Sequence, residues 1–378
     1  MKLLRTRAVA RKEFLHILRD PRSLGLALAL PLLMILLFGY ALSLDVDRIA
    51  TVIHDNDRTP ESREVIEQFR GSRYFEIAGS PSDQPSIAES LDRSVVLLSV
   101  VIPRGYARDL LSGNPAQIQV VVDGSDSNTA SIALGYTDAL LQSHAGRLRS
   151  RALNRLGGAE WRVPVEPRIR IWYNSELKSK NYIVPGLIAV ILTIIAALLT
   201  SLTIAREWET GTMEQVLSTP VKPAELVLGK MLAFFVLGVA DTLLTIAAGV
   251  FIFRVPLRGN LIFLAVTACV FLVGALCWGI LLSAIARSQL LAYQMGMISS
   301  FLPAFILSGF IYATENMPAG IQVFSHLVPA RYFVTMLKGI YLKGVGLTVL
   351  WVELAFLLAY ATLVFTVATR VLRRKLVQ

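Results

Sequence analysis

The sequence is poor in the residues on which soluble enzymes and secreted proteins rely. Of 378 residues only two are cysteine, Cys269 and Cys277, and four are histidine. The two cysteines share one apolar run, ~12 Å apart along a helix rising 1.5 Å per residue, too far for a disulfide between them. They read as apolar packing residues. The histidines are scattered without metal-ligand spacing, so no metal site is expected. No G-x-S-x-G elbow marks a nucleophile, and no G-x-x-x-x-G-K-[ST] loop is present to cradle phosphates. Gly229-Lys230 lacks the glycine loop that would have to precede it. Charged residues make up 17% of the chain against 54% hydrophobic. Nothing supports a catalytic reading, and no cofactor is expected in this chain.

What is present is apolar length. About 20 apolar residues cross a ~30 Å hydrocarbon core as a helix. Six runs qualify: Leu24–Leu44, Ile183–Ala205, Met231–Phe253, Leu261–Ala286, Leu290–Tyr312 and Thr348–Thr369. The fold class expected is a polytopic α-helical membrane protein with six transmembrane helices. The first run follows a basic tail, as a signal sequence does, and Ala41-Leu42-Ser43 resembles a cleavage site. Its 21 residues exceed the about 7–15 of a signal core, so it reads as a retained anchor.

The formal charge of +10 is a topology signal. Seven basic residues precede the first run, and Arg370, Arg373, Arg374 and Lys375 follow the last. Arg206, Lys222, Lys230 and Arg287 lie on the same side. The short loops opposite carry only Arg254, Arg258, Arg331, Lys338 and Lys343. Positive residues stay inside, which places both termini in the cytoplasm. The large segment between the first two runs is nearly balanced, so no nucleic-acid partner is expected, while the basic tails suit anionic membrane lipids.

Residues 1–23 read as a cytoplasmic amphipathic helix along the membrane surface, with Leu3, Leu4, Phe14, Leu15 and Leu18 on one face and Arg5, Lys12, His16 and Arg19 on the other. Asp20-Pro21 ends it. The first span, 24–44, leads into residues 45–182, where strand-like IATVIHD, YFEIAG, SVVLLSVVIP and AQIQVVVDGS alternate with helix-like stretches. A helical run from about Ser127 to Leu156, closed by Gly157-Gly158, completes them. This is a mixed α/β extracytoplasmic domain. Residues 183–378 hold the other five spans. Within them, residues 313–347 are too apolar for a loop and too broken for a span. Pro318 and Pro329 divide them into two pieces of an outer re-entrant helical hairpin, which is tolerable at membrane depth only when packed against protein.

The loop 206–230, REWETGTMEQVLSTPVKPAELVLGK, reads as a short helix between breakers. Gly211 interrupts the incoming helix, and Thr212-Met213-Glu214-Gln215 fits a capping box. Pro220 stops the helix, and Pro223 suits the first turn of the next. Met213, Val216 and Leu217 form an apolar stripe beside Glu207, Glu209 and Glu214. A helix this short is marginal alone in water, so it is expected to pack against a partner. Two acids lie inside spans. Glu353 is near one end. Asp241 is ~15 Å deep in the third span, where a lipid-facing carboxylate would cost about 3 kcal/mol. It therefore faces protein, as an interhelical hydrogen-bonding group, or a translocation path.

The pattern formed by Glu207, Glu209, Gly211, Thr212, Glu214, Gln215, Thr219, Pro220, Glu225, Gly229 and Lys230 resembles the signature region of ABC-transporter permeases of the type-2 exporter family. RDPRS before the first span and LSGF, ENMP and VPARYFV after the fifth extend the likeness. Ala313-Thr314 departs from the proline-containing turn such permeases carry before ENMP. The resemblance implies a drug-efflux-like exporter subunit in a bacterial inner membrane. Its short helix would couple to a cytoplasmic ABC ATPase that binds ATP and Mg, and a second permease chain would complete the pore. A periplasmic adaptor could meet the extracytoplasmic domain. The residues implied in coupling are Glu207, Glu209, Gly211, Thr212, Met213, Glu214, Gln215, Val216, Leu217 and Pro220. Two other classes remain open on the residues alone: an ion-coupled secondary transporter using Asp241, and a membrane sensor.

Overall fold

The computed structural model describes residues 2–42, 48–80, 84–155, 172–174, 178–286 and 288–377. Ser43 and Leu44 at the end of the first run, the Gly157-Gly158 stop, Arg287 and the side chain of Leu217 lie outside that description. The chain divides into two compact units: Met1–Ser43 together with Arg170–Gln378, and Leu44–Ile169.

The first unit is helical. It opens with α1 (Leu3–Arg19) and α2 (Pro21–Ala41), which meet at Asp20, where the backbone leaves the helical region ahead of Pro21. After the inserted α/β unit, whose helices are α3 to α6, it resumes with α7 (Ser179–Glu209), α8 (Thr212–Leu217) and α9 (Pro223–Ala247). A π-helical turn, Ala248–Ile252, extends α9, and α10 (Leu261–Ile285) follows. Next, α11 (Gln289–Gly296) passes through a π turn, Met297–Phe301, into α12 (Leu302–Ile306). Two short helices, α13 (Ala319–Ser325) and α14 (Pro329–Lys338), precede the long α15 (Leu347–Val377). Among the described residues four helices are long and apolar enough to cross a membrane: Ser179–Glu209, Pro223–Ile252, Leu261–Ile285 and Leu347–Lys375. The other two expected spans fall on shorter apolar pieces, Ala27–Ala41 within α2 and the broken α11–α12.

The axis of this unit is α7, buried along most of its length. Its closest neighbour is α10. A Cβ at Gly279 would fall 2.6 Å from the Ala197 carbonyl, so only glycine lets the two backbones approach this closely. Thr200 donates to the Leu276 carbonyl at 3.0 Å, and Ser283 accepts from the backbone N–H of Ile204 and Ala205 at 2.9 Å each. Such interhelical bonds suit an apolar surrounding, where an unsatisfied polar group has no water to turn to.

The hairpin expected over 313–347 is a pair of short helices broken at Pro318 and Pro329. The two pieces differ. Phe333, Met336, Leu337 and Ile340 are fully buried, whereas Phe324 and Leu327 of the first piece are exposed. In place of a proline turn before ENMP, Thr314–Asn316 make a single 3₁₀ turn. The Gly309 carbonyl of LSGF ties the region together, accepting from Tyr182 at 3.0 Å and from Lys338 at 2.7 Å. The Lys338 ammonium lies 3.3 Å from the Tyr182 ring centroid.

In the second unit, β1 (Ile49–Asp55), α3 (Pro60–Arg70), β2 (Phe75–Gly79), α4 (Gln84–Asp92), β3 (Leu98–Ile102), α5 (Tyr106–Leu111), β4 (Gln119–Val122) and α6 (Ser127–Arg155) follow in order. The sheet order is β2-β1-β3-β4, with β1 parallel to β2 and β3, and β4 antiparallel to β3. Alternation along β3 sends Leu98, Val100 and Ile102 into one core with Val65, Phe69 and Ala133 of α3 and α6. The opposite face holds a smaller core of Val52, Ile87 and Val96. The DGSDS stretch acts as turn and cap: Asp123 accepts from Ser125 N–H, and Asp126 from Asn128 and Thr129 N–H.

Asp57 organises one end of this unit. Its carboxylate accepts from the N–H groups of Gly105 at 2.7 Å and Ala107 at 2.9 Å, at the start of α5, and from the Thr59 hydroxyl at 2.7 Å. The Ala107 N–H and then the Thr59 hydroxyl hold its pKa below the usual carboxylate value. A depressed folded-state pKa stabilises above the unfolded value and is lost as pH falls through the folded one. Asp57→Asn should therefore lower the melting midpoint at neutral pH and reduce its acid dependence. Parallel melting curves of the two proteins from neutral to acid pH would overturn this.

Candidate coupling site

Three segments that sequence reasoning treated separately meet around α8. Gly211, with φ +72, sits in the left-handed region and separates α7 from α8. The capping box expected from Thr212 to Gln215 does not form, because α8 begins at Thr212 itself with Gly211 as its cap residue. The Thr212 hydroxyl turns back instead, to the Thr210 hydroxyl at 3.0 Å and the Glu207 carbonyl at 3.4 Å. Pro220 follows α8, and Pro223 is the first residue of α9.

Met213 and Val216 of the apolar stripe face the chain's own body. Met213 is fully buried and Val216 packs against the same core. Glu207 is also buried. The stripe therefore stabilises α8 from inside, and Met213 is no direct contact for another protein. The exposed members of the expected set are Glu209, Gly211, Thr212, Glu214, Gln215 and Pro220. Glu209 accepts from the Gln289 N–H at 2.8 Å, so it also ties this end of α7 to the start of α11.

Helix α1 is held against α9 and the segment that joins α8 to it. Glu225, fully buried, accepts from the Lys2 N–H at 2.7 Å and the Lys222 N–H at 3.0 Å, satisfying free donors at the starts of both α1 and α9. The Arg5 guanidinium donates to the Pro220 carbonyl. Further along, a Cβ on Gly229 would lie 2.7 Å from Val9 and 3.1 Å from the Thr6 carbonyl, so this glycine sets a close crossing of α1 and α9. The face of α1 that points inward is a mixed one, Thr6, Val9, Glu13 and Ile17, while Lys12, His16 and Arg19 of the expected polar face are exposed, as are Leu3, Leu4, Phe14, Leu15 and Leu18.

One turn beyond the crossing lies a buried charge cluster. Lys230, 1% exposed, reaches Glu13 at 2.9 Å and Glu207 at 3.0 Å. Lys12 completes it at 2.6 Å from Glu207 and 3.1 Å from Glu13. Burial pushes the Glu13 carboxyl up, but Lys230 and then Lys12 outweigh it and hold its pKa below the ordinary value. Burial likewise pulls the Lys12 ammonium down, and Glu207 and Glu13 more than reverse it, leaving its pKa raised. Two cations and two anions join α1, the last turn of α7 and α9. Sequence reasoning placed Glu207 and Lys230 in one pattern without pairing them, and it missed Glu13 entirely. The one available signal was a lone acid within a strongly basic amphipathic helix.

Asp241 is separate from this cluster. It lies deeper along α9, fully buried, and neither of its carboxylate oxygens has a hydrogen-bond partner among the described residues.

A family model described as an ABC-2 family transporter protein matches residues 21–370. The chain belongs to that family. It is 37% identical over 360 residues to the probable multidrug ABC transporter permease YbhS of Escherichia coli K12, covering 95% of this chain and 94% of the relative. It is 30% identical over 366 residues to the corresponding YbhR of the same organism, covering 97% of each. The inner membrane transport permease YhhJ is 28% identical over 323 residues, 84% of this chain and 83% of that one. Among the three classes left open by the residues, membership selects the permease subunit of an ABC exporter, a membrane protein that works with ATPase subunits and pairs with another permease chain.

Proposed function

We propose that this permease exports amphiphilic, drug-like compounds across a bacterial inner membrane, driven by a cytoplasmic ATPase that binds ATP and Mg and docks on the exposed face of α8. The observation that carries the reading is the attachment of α8. Met213 anchors it to the core, and α7 and α9 on either side are joined through Glu207, Lys230 and α1. A displacement of α8 would thus move α7, α9 and α1 together, the kind of rigid coupling that switches a bundle between two arrangements. In this reading α2 and α11–α12 are the first and fifth of six spans, and both termini and α8 are cytoplasmic, which the distribution of basic residues supports. The exposed leucines and Phe14 of α1 then lie in the inner leaflet interface. A periplasmic adaptor would meet the α/β unit. The relatives' names supply the multidrug reading.

Purification from the host should bring down an ABC ATPase, and proteoliposomes of the complex should show vanadate-sensitive, ATP-dependent transport. Transport by the chain alone, without ATP, would overturn the reading. Glu214→Lys reverses an exposed charge on α8, and we expect about a tenfold loss of ATPase affinity with an unchanged melting midpoint, consistent with a close charged contact at an interface. Assembly and transport at wild-type levels would exclude Glu214 from the contact.

Asp241, with both oxygens unpaired at mid-helix, belongs to the translocation path in this reading. Asp241→Asn keeps the shape and removes the capacity to ionise. Transport of cationic compounds should fall at least about tenfold, as loss of a charged contact implies, while that of neutral ones is retained. Equal retention of both would return Asp241 to a structural role.

A further inference from the structure

Between α1, α2, α7 and α9 lies a cavity of about 890 Å³, within the range of drug-sized ligand sites. Its two ends differ chemically. Towards α8 it is lined by Arg5, Lys12, Glu13, Arg206, Glu207 and Lys230. Deeper in, Leu199 and Leu202 of α7 face Phe234 and Leu237 of α9.

The polar end looks basic, yet its cations are engaged. Lys12 and Lys230 are paired with Glu13 and Glu207, Arg5 donates to the Pro220 carbonyl, and Arg206 donates to the Gln289 side chain at 3.2 Å. The group without a partner is an acceptor. Glu207, its side chain 8% exposed, takes both lysines on Oε1, and its buried Oε2 has no hydrogen-bond partner among the described residues. A buried carboxylate oxygen in that state calls for a donor. The residues Lys230, Phe234, Leu237 and Asp241 recur at i, i+4, i+7 and i+11 and so share one face of α9. The cavity follows that stripe to Leu237, and the next residue on it, ~6 Å further at 1.5 Å per residue, is Asp241 with its two unpaired oxygens.

We propose that this cavity is a binding site for a cationic amphiphile, whose ammonium group donates to Glu207 Oε2 while its apolar chain lies between Leu199, Leu202 and Phe234. The site names the substrate class of the exporter and rests on that reading. Asp241 is then the second anionic station, one helical turn beyond the apolar end. The ammonium can come from a dissolved alkylamine or from an ethanolamine headgroup of the bilayer.

The test is equilibrium binding of a diazirine-bearing dodecylammonium probe to the full-length permease in nanodiscs of phosphatidylglycerol, with no ATPase or nucleotide. Binding should saturate, and photolabelling should fall on the Leu198–Leu202 and Phe234–Leu237 segments. Unlabelled dodecylammonium should compete and laurate of equal length should not. Competition by phosphatidylethanolamine as well would identify the bilayer as the source, and its absence a dissolved amine. Leu202→Trp fills the apolar end without touching the charges and should weaken binding about tenfold, as should Glu207→Gln. Laurate competing equally, labelling elsewhere, or unchanged affinity in Leu202→Trp would overturn the proposal. The Leu202 variant decides even where Glu207→Gln fails to fold. Because the measurement needs no ATPase, its outcome is independent of whether the complex shows ATP-dependent transport.

Discussion

Replacing Lys230 by methionine should lower the stability of the permease by about 3–5 kcal/mol, the usual cost of breaking a buried ion pair by removing one partner. Methionine matches the length of the lysine stem and leaves little void, so the loss isolates the charge. Without Lys230, Glu13 keeps only the partly exposed Lys12, which it would share with Glu207, and two buried carboxylates face a single cation. The apparent melting midpoint of the full chain in detergent reports this, and ATPase stimulation by substrate should fall with it. A second substitution decides the cause. Glu13→Gln combined with Lys230→Met restores charge balance, leaving the Lys12–Glu207 pair, and should recover most of the midpoint. A double variant as unstable as Lys230→Met would mean that the lysine stem matters rather than its charge. The pH dependence has a definite sign. The depressed Glu13 contributes stability that is lost as pH falls through its folded-state pKa, and the raised Lys12 contributes stability lost as pH rises through its own. Between the ordinary carboxylate and lysine ranges Glu13 and Lys12 both stay charged, and their contribution to the wild-type midpoint should be flat there.

Local signals carried well into the structure where the deciding physics was local. The strand-like runs IATVIHD and SVVLLSVVIP hold β1 and β3, Asp20-Pro21 separates α1 from α2, and Gly211, Pro220 and Pro223 bound α8 and α9. Backbone restriction at proline and glycine depends on no neighbour, so it can be read from sequence. One failure was local, and the others have the opposite cause. The Thr212 capping box has the right spacing, yet Thr212 is the first helical residue because the left-handed turn at Gly211 fixes where α8 starts. The stripe of Met213 and Val216 was legible as a stripe, and its direction was not, since an apolar face does not state whether its partner is another protein or the same chain. The charge cluster brings Glu13 to Glu207 and Lys230, which lie about two hundred residues further along the chain, and only tertiary structure pairs them. The amphipathicity of α1 was equally plain, yet its inward face is neither of the two expected ones, since Val9 and Ile17 pack there beside Thr6 and the buried Glu13, which finds its partner on α9.

Gly229→Leu should be as damaging as the loss of Lys230, for a steric reason. In the sequence Gly229 is a small residue near the start of a span, a position where substitution to leucine would raise helix propensity by about 1 kcal/mol. In the structure a Cβ there meets Cβ and Cγ1 of Val9 at 2.7 Å each and the Thr6 carbonyl at 3.1 Å. The first contact is closer than real carbon atoms approach, and the second involves backbone that cannot rotate away. Alanine at this site must push α1 outward by a few tenths of an ångström, and overpacking of that kind costs about 1–3 kcal/mol. Leucine cannot be accommodated without separating the helices. That separation would also pull Glu13 from Lys230, one residue further along α9, and Lys2 from Glu225, one turn before. The expected result is a graded series in apparent melting midpoint, Gly229→Ala above Gly229→Leu, with substrate-stimulated ATPase activity lost in the leucine variant. Val9→Ala removes the Cγ1 contact and leaves the Cβ one, so it should restore part of the midpoint to Gly229→Ala and little to Gly229→Leu, because the Cβ of residue 9 and the Thr6 carbonyl stay in place. Equal midpoints for glycine and leucine would show that α1 does not need this crossing to hold the α7–α9 end of the bundle together. The cluster at Lys230 would then act alone.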